Sequence, residues 1–234
     1  MELSIAQHVF SNYFDDAQVI DYSVVNNGLI NKTYKLDTSQ GIYILQDINQ
    51  KVFNEPELAL ENIKRVSIWL KEHEFNYAFP TPIHFTYKFF FDKLWRLLPY
   101  INATSYNEIK NKKMVSNATV CIADFYRLLD QFPVQDLHVT IPHFHHGQYY
   151  IDEFHKALNH CSSERKTQAT QEINHIKFAL EELAYFDEVV RQLPNRVVHF
   201  DTKISNFLFD EDFNVKALID LDTLMPGSIL SDVG

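Results

Sequence analysis

The sequence has 234 residues, room for one large domain or two small lobes at ~150 residues per domain. Apolar residues make up 46% and aromatics 14% of it, which excludes global disorder because such a chain can bury a real core. Thirty-one acids against 21 bases give a net charge of −10, which argues against free nucleic acid as a partner and leaves nucleotides open, since a metal ion and a few cations can meet their charge.

The N-terminus (Met1, Glu2, Leu3, Ser4) has no basic stretch followed by an apolar core, so no signal peptide is expected. The first strand-like run is 21–25, followed by a turn at Asn26, Asn27 and Gly28. Thr33, Tyr34 and Leu36 continue as a second strand. After a turn at Ser39, Gln40 and Gly41, residues 42–48 form a third, rich in β-branched and aromatic residues. A helix follows, with Asn54 as expected N-cap, Pro56 in its first turn and Leu58, Ile63, Val66 and Leu70 on its apolar face. Residues 84–87 and 93–98 read as two more strands. The aromatic run Phe89, Phe90 and Phe91 reads as core or turn packing. No apolar stretch reaches the ~18 residues of a membrane helix, and the densest run, 88–101, contains Asp92, Lys93 and Arg96.

Beyond residue 100 the pattern turns helical. Residues 115–132 and 148–158 are two candidates, and 164–193 reads as one long helix. Its apolar residues Ile173, Ile176, Leu180, Leu183, Phe186, Val190 and Leu193 recur in steps of three and four, and Pro194 stops it. Three short β-like runs, 197–200, 206–209 and 215–221, close the chain. The two cysteines, Cys121 and Cys161, are expected as buried small hydrophobes in a reducing compartment. The basic residues Lys110, Lys112 and Lys113 read as a solvated face. His138, His143, His145 and His146 lack a neighbouring Cys or paired acid and read as a partly solvated loop rather than a metal centre.

The string that carries chemistry runs from His199 through Asp201, Lys203 and Asn206, followed by Asp220 and Asp222. Asp201 follows a β-like run, so its carboxylate can project from a strand end into a cleft. Asp220 ends the apolar run Ala217, Leu218 and Ile219, where a carboxylate is costly unless paired. Pairing 206–209 with 215–221 as a hairpin brings Asn206, Asp220 and Asp201 together. Two oxygen ligands plus substrate phosphates suit Mg²⁺. A further carboxylate can orient or deprotonate a hydroxyl, and Lys203 can neutralise a transferring phosphoryl group. Asp222 is left open between an acid behind the site, a substrate contact and a solvated residue.

This string resembles the aminoglycoside phosphotransferase and choline kinase group, and in its longer form, through Gly227, the N-acetylhexosamine 1-kinase branch. Asn31, Thr33 and Tyr34 after Gly28, the run from Tyr43 through Gln46 to Asn49 with Val52 and Phe53, Trp95 with Arg96, and Ile141 with Phe144 and His145 are similar to that branch too. The resemblance implies an α+β, protein-kinase-like bilobal fold: a β-rich N-lobe over 1–98 with one helix, a hinge at 99–102 and a mainly helical C-lobe over 103–234, truncated relative to the family. It implies an ATP- and Mg²⁺-dependent kinase acting on a small-molecule acceptor, an amino sugar foremost, in the cytoplasm. The alternatives are a choline, amino-alcohol or aminoglycoside kinase, or an inactive nucleotide-binding remnant. By the same resemblance Asp201 is the catalytic aspartate, Lys203 approaches the γ-phosphate, and Asn206 and Asp220 hold the metal, while His199 is expected as a structural residue of the loop. Gly28, Asn31 and Thr33 lie over the phosphates, with Gln46 where protein kinases carry a lysine. Pro99, Tyr100 and Ile101 form the adenine-reading connector, and Glu61 presents an acid to the nucleotide.

Overall fold

The structure is a computed structural model that describes residues 1–25 and 30–233. Its helices are α1 (Leu3–Ser11), α2 (Pro56–Glu72), α3 (Lys112–Leu128), α4 (Gly147–His160), α5 (Ser163–Gln168), α6 (Thr170–Gln192) and α7 (Leu230–Val233). Its strands are β1 (Val19–Val25), β2 (Lys32–Thr38), β3 (Gly41–Ile48), β4 (Lys88–Phe90), β5 (Lys93–Pro99), β6 (Thr104–Ser105), β7 (Arg196–Val198), β8 (Phe207–Phe209), β9 (Val215–Leu218) and β10 (Met225–Gly227).

The first five strands form one antiparallel sheet in the order β1-β2-β3-β5-β4. Alternation along β2 and β3 buries Tyr34, Leu36 and Leu45 on one face, with Trp95 and Leu97 of β5 beside them. That face is covered by α1 through Ala6, Val9 and Phe10, an element the sequence reading passed over. The opposite face presents Thr33, Gln46 and Arg96, with Gln46 directly across from both Thr33 and Arg96 in register.

A second core joins α2 and α3 to β7, β8 and β9 through Ile63, Val66, Leu70, Met114, Phe125, Val197, Phe209 and Leu218. The segment after α2 adds to this layer: Ala78 bridges Ala217 in parallel, with hydrogen bonds of 2.8 and 3.0 Å to the β9 backbone. α2 and its exit, though they come before residue 98, are thus packed into the helical part. Among the described residues, no helix is long and apolar enough to cross a membrane.

Four local expectations are corrected. Residues 84–87 are not a strand: a 3-10 turn spans Ile83–Phe85 with His84 at φ 60°. The prolines at 80 and 82 fix the backbone just before it, and pairing begins only at Lys88. Asn54 does not cap α2; Glu55 holds that position without a side-chain bond. The long helix is two, broken at Ala169 (φ −104°, ψ 21°). There Thr170 turns its hydroxyl back onto the carbonyls of Lys166 and Thr167, both at 2.9 Å, in competition with the helical ladder. Cys121 is buried, but Cys161 is only partly so, at the C-cap of α4.

The stripe on α6 is helical as read, yet much of it is uncovered. Ile176, Leu183, Phe186 and Leu193 remain exposed, and Asp187 is the only buried residue of that helix.

Candidate active site

Strand β7 ends at Val198, and the chain turns through His199 and Phe200 (φ 63°) into Asp201. His199 is fully buried, and its ring is fixed by two contacts: Asp201 N–H donates to Nδ1 at 3.3 Å, and Nε2 lies 3.0 Å from the Ile219 carbonyl. Nδ1 is therefore the acceptor and Nε2 carries the proton. Burial also holds the imidazole below its ordinary pKa, which keeps it neutral. The residue ties the Asp201 turn to the strand leading into Asp220.

Asp201 Oδ2 accepts from Lys203 Nζ at 2.5 Å and from Asn206 Nδ2 at 2.9 Å, while the same amide reaches the Asp201 carbonyl at 2.8 Å. Both amide protons of Asn206 are thus committed, and its Oδ1 is the side left for a cation. Asp201 Oδ1 takes no hydrogen bond among the described residues, so it is the oxygen open to an incoming hydroxyl. The pairing of β8 with β9 continues past the strands as Ile219 N–H to the Asn206 carbonyl at 2.9 Å. This hairpin sets Asp220 beside Asn206.

Asp220 adopts the left-handed conformation (φ 64°, ψ 62°), uncommon for a residue with a Cβ. It keeps a solvent-facing side, yet protein atoms crowd its carboxyl. Burial, then repulsion from Asp222 and Asp201, push that carboxyl up to about 6, against the pull of Arg96 and Lys203. A cation would relieve this excess of negative charge, so the donor set fits a hard divalent ion. Among the described residues no three His, Cys, Asp or Glu side chains gather to hold a metal alone. Asn206 and Asp220 would need phosphate oxygens to complete a shell.

The sign of the Asp220 shift makes a prediction. The folded state takes the proton below about pH 6, the unfolded chain only near ~4. Above the folded pKa the full penalty of the ionised group is present; as pH falls from 6 towards 4 it is relieved. Asp220→Asn is therefore expected to gain melting temperature relative to wild type as pH rises from 4.5 to 7.5, moderated by screening on the open side. A difference between the two melting curves that does not change with pH would contradict the shift.

Behind Asp220 lies a network the sequence did not reveal. Asp222, on the 3-10 turn after Asp220, receives both terminal nitrogens of Arg96, that of Nη2 at 2.8 Å. Asn31 Nδ2 adds a third donor at 2.9 Å, and Asn31 Oδ1 accepts from Asn49 N–H at 3.0 Å. Arg96 Nε donates to Gln46 Oε1 at 2.8 Å, and Gln46 Nε2 to Thr33 Oγ1 at 3.0 Å. Asn31, Thr33 and Gln46 are thus brought together, but turned into this network rather than left as free donors. Thr223 closes the turn onto the His199 carbonyl at 2.6 Å.

The remaining expected residues stand apart. Gly28 lies outside the described residues. Glu61 is exposed and bonds His138 at 2.9 Å, with Arg65 beside it; its neighbour Asn62 is the buried polar residue of α2. Pro99 ends β5, Lys35 lies 4.9 Å over the Tyr100 ring, and the Ile101 carbonyl accepts from Ala103 N–H at 2.8 Å. Among the histidines, His143 stacks on Tyr149 and His145 on Phe144. Sequence reasoning missed Asp232 of α7, which accepts from His199 N–H at 2.9 Å and from the Tyr126 hydroxyl. It also missed Asn62. Arg96 did carry a signal, a cation flanked by Trp95 and Leu97 in the apolar stretch 94–98, which demands a buried partner.

Gly227 bears on the same turn. A Cβ there would lie 2.3 Å from the Phe200 ring, and Phe200 is adjacent to Asp201. Gly227→Ala is expected to displace Phe200 and lower turnover by ~10²-fold while the chain still folds. Undiminished turnover would show that the ring moves without carrying Asp201 along.

The chain belongs to the APH phosphotransferase enzyme family, whose family model matches residues 21–234. Solved structures share the protein-kinase-like fold. An aminoglycoside 2'-phosphotransferase-IIIa in its GDP complex matches at TM-score 0.69 and 11% identity, over 98% of this chain and 75% of that one. A spectinomycin phosphotransferase with ADP and spectinomycin matches at 0.63 and 12%, over 92% and 68%. A macrolide 2'-phosphotransferase type I matches at 0.58 and 13%, over 100% and 76%.

Proposed function

We propose that this chain transfers the γ-phosphoryl group of ATP to a hydroxyl of a small molecule, with the anomeric hydroxyl of an N-acetylhexosamine as the leading acceptor. The observation that carries the reading is the convergence, where the turn after β7 meets the turn after β9, of Asp201, with Oδ1 open, Asn206, whose Oδ1 takes no hydrogen bond among the described residues, and the crowded carboxyl of Asp220. Family membership supports phosphoryl transfer, and the ADP and GDP complexes of the similar folds support a nucleotide. The acceptor rests on the resemblance of the string from His199 to Gly227.

The roles follow from the contacts. The acceptor oxygen forms its bond to the γ-phosphorus as the bridging oxygen to the β-phosphate leaves with ADP, and Asp201 Oδ1 orients the hydroxyl and takes its proton. Lys203, paired to Oδ2 of the same carboxylate, is positioned to follow the charge of the transferring group. Asn206 and Asp220 would hold Mg²⁺, which when bound supplies charge neutralisation to the phosphates. Catalysis in this reading is mostly positioning and charge. Asn31, Thr33 and Gln46 serve the phosphate side through the wall they build, and the 99–102 segment reads the base.

The test is ADP formation with Mg·ATP across N-acetylhexosamines, hexoses, choline, amino alcohols and aminoglycosides. Acceptor-dependent ADP confined to N-acetylhexosamines supports the reading in full. Turnover confined to aminoglycosides or choline keeps the kinase and replaces the acceptor. Mg·ATP binding with no transfer to any of them favours a nucleotide-binding protein without catalysis.

A further inference from the structure

We propose that Arg96 and Asp222 are the charge pair that locks the β-sheet to the Asp220 turn, which makes Arg96 a positioning residue for Asp220; its catalytic consequence rests on the kinase reading above. Arg96 is the only lysine or arginine among the buried residues described, at 3% exposed, and Asp222 matches it at 3%. They lie 126 positions apart, one on β5 and the other two residues beyond Asp220. Every contact is directional. The guanidinium fork takes both carboxylate oxygens, Nε takes Gln46, and Asn31 takes the same Asp222 oxygen as Nη2. A planar fork with these partners admits one relative placement of sheet and turn; a lysine, with a single rotatable ammonium, would admit many.

The placement matters because Asp220 is held in a left-handed conformation that its own backbone disfavours. On its N-terminal side the Ile219 backbone is fixed by Asn206 and His199. On its C-terminal side Thr223 is fixed by the His199 carbonyl. All of those anchors lie in the helical part. The Asp222 carboxylate is where the sheet takes hold of the turn by charge, so a movement of the sheet is transmitted to Asp220 or is blocked. Stability alone does not account for the pair, because a buried ion pair is commonly matched by apolar residues of similar volume. What apolar residues would not reproduce is the unique register.

The experiment separates these roles. Asp222→Asn leaves Arg96 buried without its counter-charge and is expected to lower the melting temperature. The double variant Arg96→Met with Asp222→Asn removes both charges, keeps an acceptor for Asn31, and is expected to recover most of that loss. Amide hydrogen exchange over residues 219–224 should nevertheless be about tenfold faster in the double variant than in wild type, with exchange in α3 unchanged. In acceptor-dependent ADP formation its kcat should fall by ~10²-fold while KM for the acceptor stays close to wild type. A double variant with wild-type exchange over 219–224 and wild-type kcat would reduce the pair to packing and overturn the proposal. If the double variant does not fold, Arg96→Lys decides: it keeps the charge and loses the fork, and unchanged exchange over 219–224 overturns the proposal there too. A wild-type chain that neither binds Mg·ADP nor turns over any acceptor would sink the kinase reading instead, while the exchange comparison still decides whether the turn is locked.

Discussion

Asp201→Asn is expected to lower acceptor-dependent ADP formation by ~10²–10⁴-fold, the range for losing a positioned proton acceptor, while Mg·ADP still binds. The geometry explains the separation. An amide keeps an oxygen that can accept from Asn206 Nδ2, so the 3-10 turn at Ile204–Asn206 keeps its bond. What is lost is the negative charge and the open lone pair at Oδ1. Lys203 keeps that oxygen as an acceptor but loses its counter-charge, because its 2.5 Å contact is to the same Oδ2. Nucleotide affinity has no reason to fall. Asp201 is one of the two acids that raise the Asp220 carboxyl, so its neutralisation makes Asp220 easier to ionise and a cation no harder to hold. The measurement is a pair: initial rates of ADP release with acceptor, and Mg·ADP titration followed by tryptophan fluorescence or calorimetry. A variant that turned over at the wild-type rate would remove Asp201 from the chemistry. A variant that lost nucleotide binding as well would show instead that Asp201 is a structural member of the turn.

How much of this was legible in the sequence depended on whether the signal was local. The hairpin of β8 and β9 was legible because alternation and a short connection make such pairing nearly obligatory, and it carried Asn206 and Asp220 with it. The three strands β1 to β3 were legible for the same reason. The 3-10 turn at Ile83–Phe85 was not, because aromatic and β-branched residues there mimic a strand and the prolines before them decide otherwise. The break at Ala169 was hidden in a hydroxyl that bonds backwards. The network behind the site was the least legible part. Asn31 to Asp222 is a contact across 191 positions and Arg96 to Asp222 one across 126, and no periodicity reports on either. The sequence does say that Arg96 stands in an apolar strand and that Asp222 follows an apolar run. Both must therefore find partners, but that reasoning does not say that they find each other. Asn31, Thr33 and Gln46 were picked out as residues of the nucleotide side, and the structure gathers them, though facing one another.

Asn62→Ala is expected to be the most destabilising single truncation on α2, by about 3 kcal/mol, since one buried and two part-buried backbone groups lose their partner. Asn62 has no exposed surface. Its Nδ2 donates to the carbonyls of His138 and Leu224, each at 2.8 Å, and its Oδ1 accepts from His138 N–H at 2.9 Å. One amide thus fastens α2 both to the loop at 138 and to the residue that follows the Asp220–Thr223 turn. Melting should fall by roughly 6–12 °C at that cost for a chain of this size. Asn62→Asp should be worse above neutral pH despite its similar shape, because it sets a carboxylate oxygen against two carbonyl oxygens in a dry site. The neighbouring residue is the control. Glu61 is exposed, bonded among the described residues only to His138 and Arg65, and Glu61→Ala should stay within about 0.5 kcal/mol of wild type. Urea unfolding of the three variants ranks them directly. The ranking also bears on the nucleotide side: an affinity for Mg·ADP that dropped tenfold or more in Glu61→Ala, with stability untouched, would return Glu61 to that role and require α2 to turn towards the cleft when nucleotide binds. An unchanged affinity leaves α2 acting on the site through Asn62 and Leu224, from the rear of the Asp220 turn.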